Sequence, residues 1–434
     1  MRYRVSPLLL CALTLIFAQT AAHAQGQRPF NQSEAEEAFD AAASKYGRTY
    51  RRLGQSRGVD LSPRVTTVSH HRIADALGRF YPEQTAMLFY DYDGSDLRLW
   101  LVNADGIQAY RREAVPLDDL ESAISNLRTA LNVNALQALR APRPRRQPVT
   151  PARRIMLRLR PTINELSALL LPRAVSRKLT TVRHLVIVPA LGLGAVPFAV
   201  MQPPGTRQSL IERMSISIAP SLFDVVEEVE PLASRFQNPL VVGDPLLPEN
   251  GEWFFPPLPG AQEEANAVAS ALKTTPFIGA SATKESVLMK AASADILYFA
   301  THAVASDTDP LHGSFLALSA DKDPQGRWTA QEIQTARFKA RLAVLSACQT
   351  GLGKTHDAGI IGLSRAFQIA GVPRVVMSLW SVNDAATSEL MQAFVANLRS
   401  YVPAEALRRA MLQVRRKRPH PAQWASFVLF GTPR

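Results

Sequence analysis

Cysteine is almost missing from this chain: 434 residues hold two, Cys11 and Cys348. That excludes a disulfide-stapled scaffold and a zinc site built on thiolates. Histidines number 8, and no two stand at the i, i+4 spacing that presents a metal pair on one helix face. His70 and His71 are adjacent, so their side chains diverge in a helix or a strand. No metal or other cofactor is expected. Aromatics make up 7% and are absent from the two basic runs, Arg140 to Arg160 and Arg408 to Arg418. Base-stacking platforms are therefore lacking there, and the net charge of +12 reads as a solvated linker and a solvated helix face. No nucleic-acid partner is expected. No segment recurs at a spacing near 34 residues, which excludes a helical repeat array.

What is present is a globular composition. A hydrophobic share of 47% over this length supports a sizeable core, in two domains or one elaborated domain. Residues 1–24 stand apart: Arg2 and Arg4 precede a mostly apolar run from Val5 to Phe17, and Ala22-His23-Ala24 is a small-x-small site. This is the pattern of a secretory signal peptide, and the run is shorter than the roughly 20 residues of a spanning helix. The expectation is a secreted or periplasmic protein with no membrane span after cleavage near Ala24. Removal of Arg2 and Arg4 would leave a net charge of +10, and a single thiol, Cys348.

Residues 25–139 read as an N-terminal region. Ser33 followed by Glu34, Glu36 and Glu37 is a helix start, with acids placed to favour the helix dipole. From Thr85, three runs rich in aromatic and branched residues, broken at Gly94 and Asp105-Gly106, predict a β-meander. A helix from Asp118 to Asn132 follows. Prolines 142, 144, 148 and 151 among arginines mark residues 140–154 as an exposed linker. Beyond it strands alternate with helices: a helix from Ile155 to Leu171, strands at Leu185–Val188, Ser209–Ile218 and Leu240–Val242, and a helix from Ser221 to Glu230. That alternation predicts a parallel sheet covered on both faces.

The chemistry concentrates between Ile296 and Trp380. The buried strand run ILYFA ends in Thr301-His302, and the run Leu342–Leu345 ends in Ser346-Ala347-Cys348, 46 residues beyond the histidine. A helix is predicted from Ala358 to Ala370, and Val375–Trp380 as the next strand. Neighbouring parallel strands would bring His302 and Cys348 to one carboxyl edge, where open α/β sheets place their reacting groups. A thiolate is the nucleophilic form of cysteine, and a histidine is the base that can generate it. Taken alone, a lone cysteine there is either such a nucleophile or an inert buried hydrophobe. His312 and His356 lie in flanking loops, where either could stand in as a base or contact substrate, and each reads first as a surface histidine. Gly353-Lys354-Thr355 matches the end of a phosphate-binding loop, but that motif needs glycine where Cys348 stands, so a nucleotide is not expected.

Several stretches in order, HLVIVPALGLGAVPFAVM, PLVVGDP, LPGAQEEANAV, ILYFATH, LSACQTGLG, SLWSVNDAAT and HPAQWASFVLFG, resemble the CHAT-domain family of caspase- and separase-like cysteine peptidases. The tetratricopeptide repeats common in that family are not seen here. The resemblance implies a caspase-like parallel-sheet α/β sandwich at 155–434, with a supporting half at 155–257 and a catalytic half at 258–434. A helix and a small β-meander would precede it. It implies Cys348 as nucleophile and His302 as general base, with an oxyanion hole formed by the backbone N–H groups of Cys348 and Ala303. Glycine is usual after the histidine in this family. If the position needed positive φ, alanine would be strained by about 1 to 2 kcal/mol. Asp384 matches the family position that receives a basic side chain before the scissile bond, and it is equally placed to cap the following helix. The expected function is a cysteine endopeptidase acting on proteins or peptides, with an activating protein partner to be found. The alternative is a catalytically weak or inactive relative that binds peptides as a regulatory module.

Overall fold

The computed structural model describes residues 30–56, 68–81, 83–131, 152–247, 255, 258–306, 308–321, 324–347, 354–356, 359–380 and 384–433. The expected signal peptide and most of the expected linker lie outside these residues. Helix α1 (Gln32–Ser56) and helix α2 (His70–Phe80) come first, and Ser69 caps α2 by accepting the Arg72 N–H. Strands β1 (Thr85–Tyr92), β2 (Asp96–Asn103) and β3 (Gly106–Ala114) form the predicted meander, turning at Gly94 and Gly106, both at positive φ. Only glycine adopts that backbone without a steric penalty. Helix α3 (Leu117–Ala130) follows, then α4 (Ala152–Leu170), α5 (Arg173–Lys178) and β4 (His184–Val188). Helix α4 begins at Ala152, directly after Pro151, so the last three residues assigned to the linker are helical.

Two local readings differ from the sequence expectation. The segment predicted as a strand from Ser209 is a short helix, α6 (Leu210–Arg213), followed by strand β5 (Ser215–Ile218). A capping box explains it: Ser209 and Glu212 satisfy each other's exposed N–H groups. The alternation Ser215-Ile216-Ser217-Ile218 directly after it concealed it. Helix α7 (Leu222–Val226) is shorter than expected, and β6 (Pro239–Pro245), α8 (Pro259–Leu272), β7 (Phe277–Gly279), α9 (Lys284–Ala291) and β8 (Ile296–Ala300) continue the α/β alternation.

After β8 come three short strands, β9 (Ala303–Val304), β10 (Phe315–Ala317) and β11 (Arg327–Thr329), which form a separate sheet, then α10 (Ala330–Thr335) and β12 (Leu342–Leu345). A hairpin, β13 (Lys354–His356) with β14 (Gly359–Ile361), occupies the start of the predicted helix, which begins later as α11 (Leu363–Ile369). Gly362 separates them with φ 155° and ψ −157°, a region essentially reserved for glycine. Strand β15 (Arg374–Ser378), α12 (Asp384–Asn397), α13 (Pro403–Lys417) and β16 (Phe427–Gly431) complete the chain.

Eleven strands form one sheet in the order β3-β2-β1-β4-β5-β16-β15-β12-β8-β6-β7. The meander is part of it, because β1 pairs parallel with β4. Both faces are buried, and the period-2 alternation of side chains sorts each strand between two cores. From β8, Ile296 and Tyr298 enter the core under α8, α12 and α13, whereas Leu297 and Phe299 enter the core under α9, α10 and α11. Helix α8 lies close against β6: a side chain at Gly243 would place its Cβ 2.3 Å from the Ala265 Cβ. Among the described residues no helix is long and apolar enough to cross a membrane.

Candidate active site

The site is built by three adjacent parallel strands ending at one edge. Strand β12 pairs with β8 on one side and β15 on the other, with Leu345 opposite Phe299 and opposite Met377. The ladder extends one step further, since Ser346 donates its N–H to the Phe299 carbonyl at 2.8 Å. His302 is the third residue after Phe299 and Cys348 the third after Leu345. The register therefore carries the two chains past the edge at the same level. Cys348 itself lies outside the described residues, as do 349–353.

His302 is held by the small sheet rather than by the large one. Ala317 of β10 donates its N–H to the His302 carbonyl at 2.9 Å, and its own carbonyl accepts the Thr301 hydroxyl at 2.7 Å. His302 as a whole is only 6% exposed. The ring of Phe255 stacks on it with centroids 4.8 Å apart and planes at 25°, and Phe255 in turn meets Phe315 edge-on. On the cysteine side, the Ser378 hydroxyl donates to the Ala347 carbonyl, which fixes the residue directly before Cys348.

Ala303 sits in β9, paired with Leu316. Among the described residues the non-glycine positions of positive φ are Gln84, Leu191, Asp244 and Lys273. Ala303 is not one of them, so alanine carries no left-handed strain there. Asp384 opens α12, three residues before Thr387. His312 is exposed and paired with Asp309 at 3.2 Å. His420 accepts the Ala422 N–H, and partial burial lowers its pKa. Among the described residues no three metal-ligating side chains come together.

Sequence reasoning missed a buried carboxylate beside this edge. Glu264 of α8 is 2% exposed and accepts the Tyr298 hydroxyl at 2.7 Å. Burial, and then the neighbouring Glu264 charge, raise the Tyr298 pKa well above its usual value, so the phenol keeps its proton and donates it. A signal was available: Ala261, Glu264, Ala265, Val268 and Ala269 follow helical spacing, so Glu264 falls on the apolar stripe.

The fold and the edge together define a class, the caspase-like α/β sandwich. The Saccharomyces cerevisiae separase–securin complex at 3.0 Å shares the fold with a TM-score of 0.59 at 10% identity, over 90% of this chain and 34% of that one. The chain belongs to the CHAT domain family, whose model matches residues 160–432. It is 28% identical over 299 residues to tetratricopeptide repeat protein 28 of Mus musculus, and 28% identical over 301 residues to the Homo sapiens protein of that name. Each match covers 58% of this chain and 12% of the relative's length.

Proposed function

We propose that this chain is a cysteine endopeptidase with Cys348 as nucleophile and His302 as general base. The observation that carries the reading is the β8/β12 register, which sets Leu345 opposite Phe299, each three residues before one member of the proposed pair. The Cys348 sulfur attacks the scissile carbonyl carbon while His302 takes its proton. The backbone N–H groups of Cys348 and Ala303 stabilise the oxyanion. The C–N bond then breaks, and the proton on His302 passes to the leaving amine. Water, with His302 as base, hydrolyses the thioester and regenerates the thiol. No step calls on a metal or a cofactor. Asp384 at the start of α12 is the family position for receiving a basic side chain, which supports cleavage after a basic residue. Residues 1–24 support export to the periplasm or beyond.

Cleavage of a positional peptide library by residues 25–434 tests the reading. The chain should cleave after basic residues, and Cys348→Ala and His302→Ala should each abolish it. Cleavage that persists in Cys348→Ala would refute a cysteine mechanism. A second reading has its own observation: Phe255 stacked on a 6% exposed His302 covers the base. A peptide-binding module of the same shape, or a latent peptidase released by a protein partner, accounts for that cover. A native chain that binds peptides without cutting them would favour the module.

A further inference from the structure

Two long stretches of this chain carry no acid: residues 166–211 and residues 406–434 contain neither Asp nor Glu. The fold brings their basic ends together. Phe427 opens β16 opposite Ser378, Phe430 lies opposite Ile218, and Ser215 opens β5 opposite His184. Strands β16, β5 and β4 therefore begin at the edge where β8, β12 and β15 end, the edge of the proposed dyad. Helices α5, α6 and α13 pack on one face of the sheet, through Val175, Leu210 and Leu407. Side chains tie them to each other: Arg213 donates to the Leu179 carbonyl at 3.4 Å, and Arg408 donates to the Ile211 and Glu212 carbonyls at 2.8 and 2.9 Å.

The corner so formed is cationic. Arg177 and Lys178 end α5, Arg183 precedes β4, Arg213 ends α6, and Arg416 and Lys417 end α13. All of these except Arg213 are fully exposed. The acids are fewer. Glu212 meets Arg415 at 3.0 Å, Glu389 meets Lys417 at 2.7 Å and Arg418 at 3.3 Å, and Glu83, just before β1, is a third. Among the described residues Arg177, Lys178, Arg183 and Arg416 form no ion pair. Arg173 and Arg177 also stand four apart on α5, a spacing at which like charges repel. The run Arg408–Arg418 alone reads as a solvated helix face, but joined to α5 and α6 it becomes a field of one sign, which draws polyanions.

Breadth selects among polyanions. From β15 to β4 is three strand spacings, about 14 Å, and the helix layer adds about 10 Å in the other direction. An extended acidic peptide is one spacing wide and would leave most of these cations uncovered. A bilayer of anionic lipid covers them together, and each Lys or Arg near such a surface adds to the attraction. Residues 1–24, read as a signal peptide, would bring the chain to a membrane surface.

We infer that this corner docks the chain on anionic phospholipid, as a peripheral contact without insertion. The edge that carries the proposed dyad then faces the bilayer. The lipid contact stands on the cations, and only its consequence for substrates refers to the peptidase reading.

Sedimentation of residues 25–434 with vesicles tests the contact. The chain should bind equimolar phosphatidylglycerol–phosphatidylcholine vesicles and not phosphatidylcholine alone, and added salt should release it. Reversing Arg177, Lys178, Arg183 and Arg416 together to Glu should weaken binding by at least about 10²-fold, since each cation near the surface is worth roughly a fivefold factor. The matched control reverses Arg235, Lys273, Arg337 and Lys339 to Glu, all exposed and at the opposite edge. It should cost far less, at most about tenfold, because these charges lie beyond a Debye length of the lipid. If the first set fails to fold, the pair Arg177→Gln and Lys178→Gln should still weaken binding by at least about fivefold. Equal losses in both sets would reduce the effect to net charge and overturn the inference, as would absence of binding. Tighter binding to poly-glutamate or duplex DNA than to the vesicles, lost with the same four reversals, would overturn lipid as the occupant. The assay reads binding alone, so its failure leaves the peptidase reading standing.

Discussion

Ser346 gives its backbone N–H to the carbonyl of Phe299, 47 residues earlier, at 2.8 Å. That single bond extends the β12/β8 ladder past the last named strand residue. It ties the approach to Cys348 to the approach to His302, so the two chains leave the sheet in step. Everything proposed about chemistry depends on this coupling.

The stacking of Phe255 on His302 predicts a protected imidazole. In the native chain, modification of His302 by diethylpyrocarbonate, followed by peptide mass spectrometry, should be slow beside that of the exposed His312. Phe255→Ala should accelerate it several-fold without unfolding the protein. An unchanged rate would show that the burial of His302 comes from β9 and β10 alone.

Ser378 holds the Ala347 carbonyl on the floor of the same edge. Ser378→Ala leaves that buried acceptor without its hydroxyl donor, at a cost of about 1 to 3 kcal/mol in urea unfolding. Peptide cleavage should fall along with it, because the segment carrying Cys348 loses an anchor. Full activity in a destabilised variant would mean that the anchor serves the fold only.

His184 bridges Ser215 and Ser217 inside the sheet, at 2.9 Å and 3.0 Å. Burial lowers its pKa from 6.5 to about 3. The unfolded chain therefore binds a proton that the folded chain refuses between those values, and stability falls as pH drops from 6.5 towards 3. The contribution is on the order of 5 kcal/mol. Urea midpoints at pH 7 and pH 4 should differ less in His184→Gln than in the unaltered chain, and identical pH slopes would contradict the assignment.

The strands of the catalytic half were legible because they are continuous branched and apolar runs, buried on both faces, that end in Thr301-His302 and Ser346-Ala347. Their adjacency was legible from the α/β alternation. Three features were not. The meander's merger with the large sheet depends on β1 pairing with β4, and a strand's own sequence does not name its neighbour. Ile360 and Ile361 served a predicted helix equally well as the observed hairpin, and only the backbone of Gly362 decides between them. Ala303 suggested strain by analogy, but strand β9 gives it an ordinary conformation. Glu264 could have been found, because a carboxylate on an apolar helical stripe needs a reason to be there.

The most direct measurement of the central claim is native-state alkylation of Cys348 by iodoacetamide as a function of pH, in the unaltered chain and in His302→Ala. A dyad should give a rate that holds well below the usual thiol pKa of about 8.5, and His302→Ala should slow the reaction near pH 6 by at least about tenfold. Equal slow rates in both, rising together only above pH 8, would contradict the account and leave Cys348 as a thiol without a base.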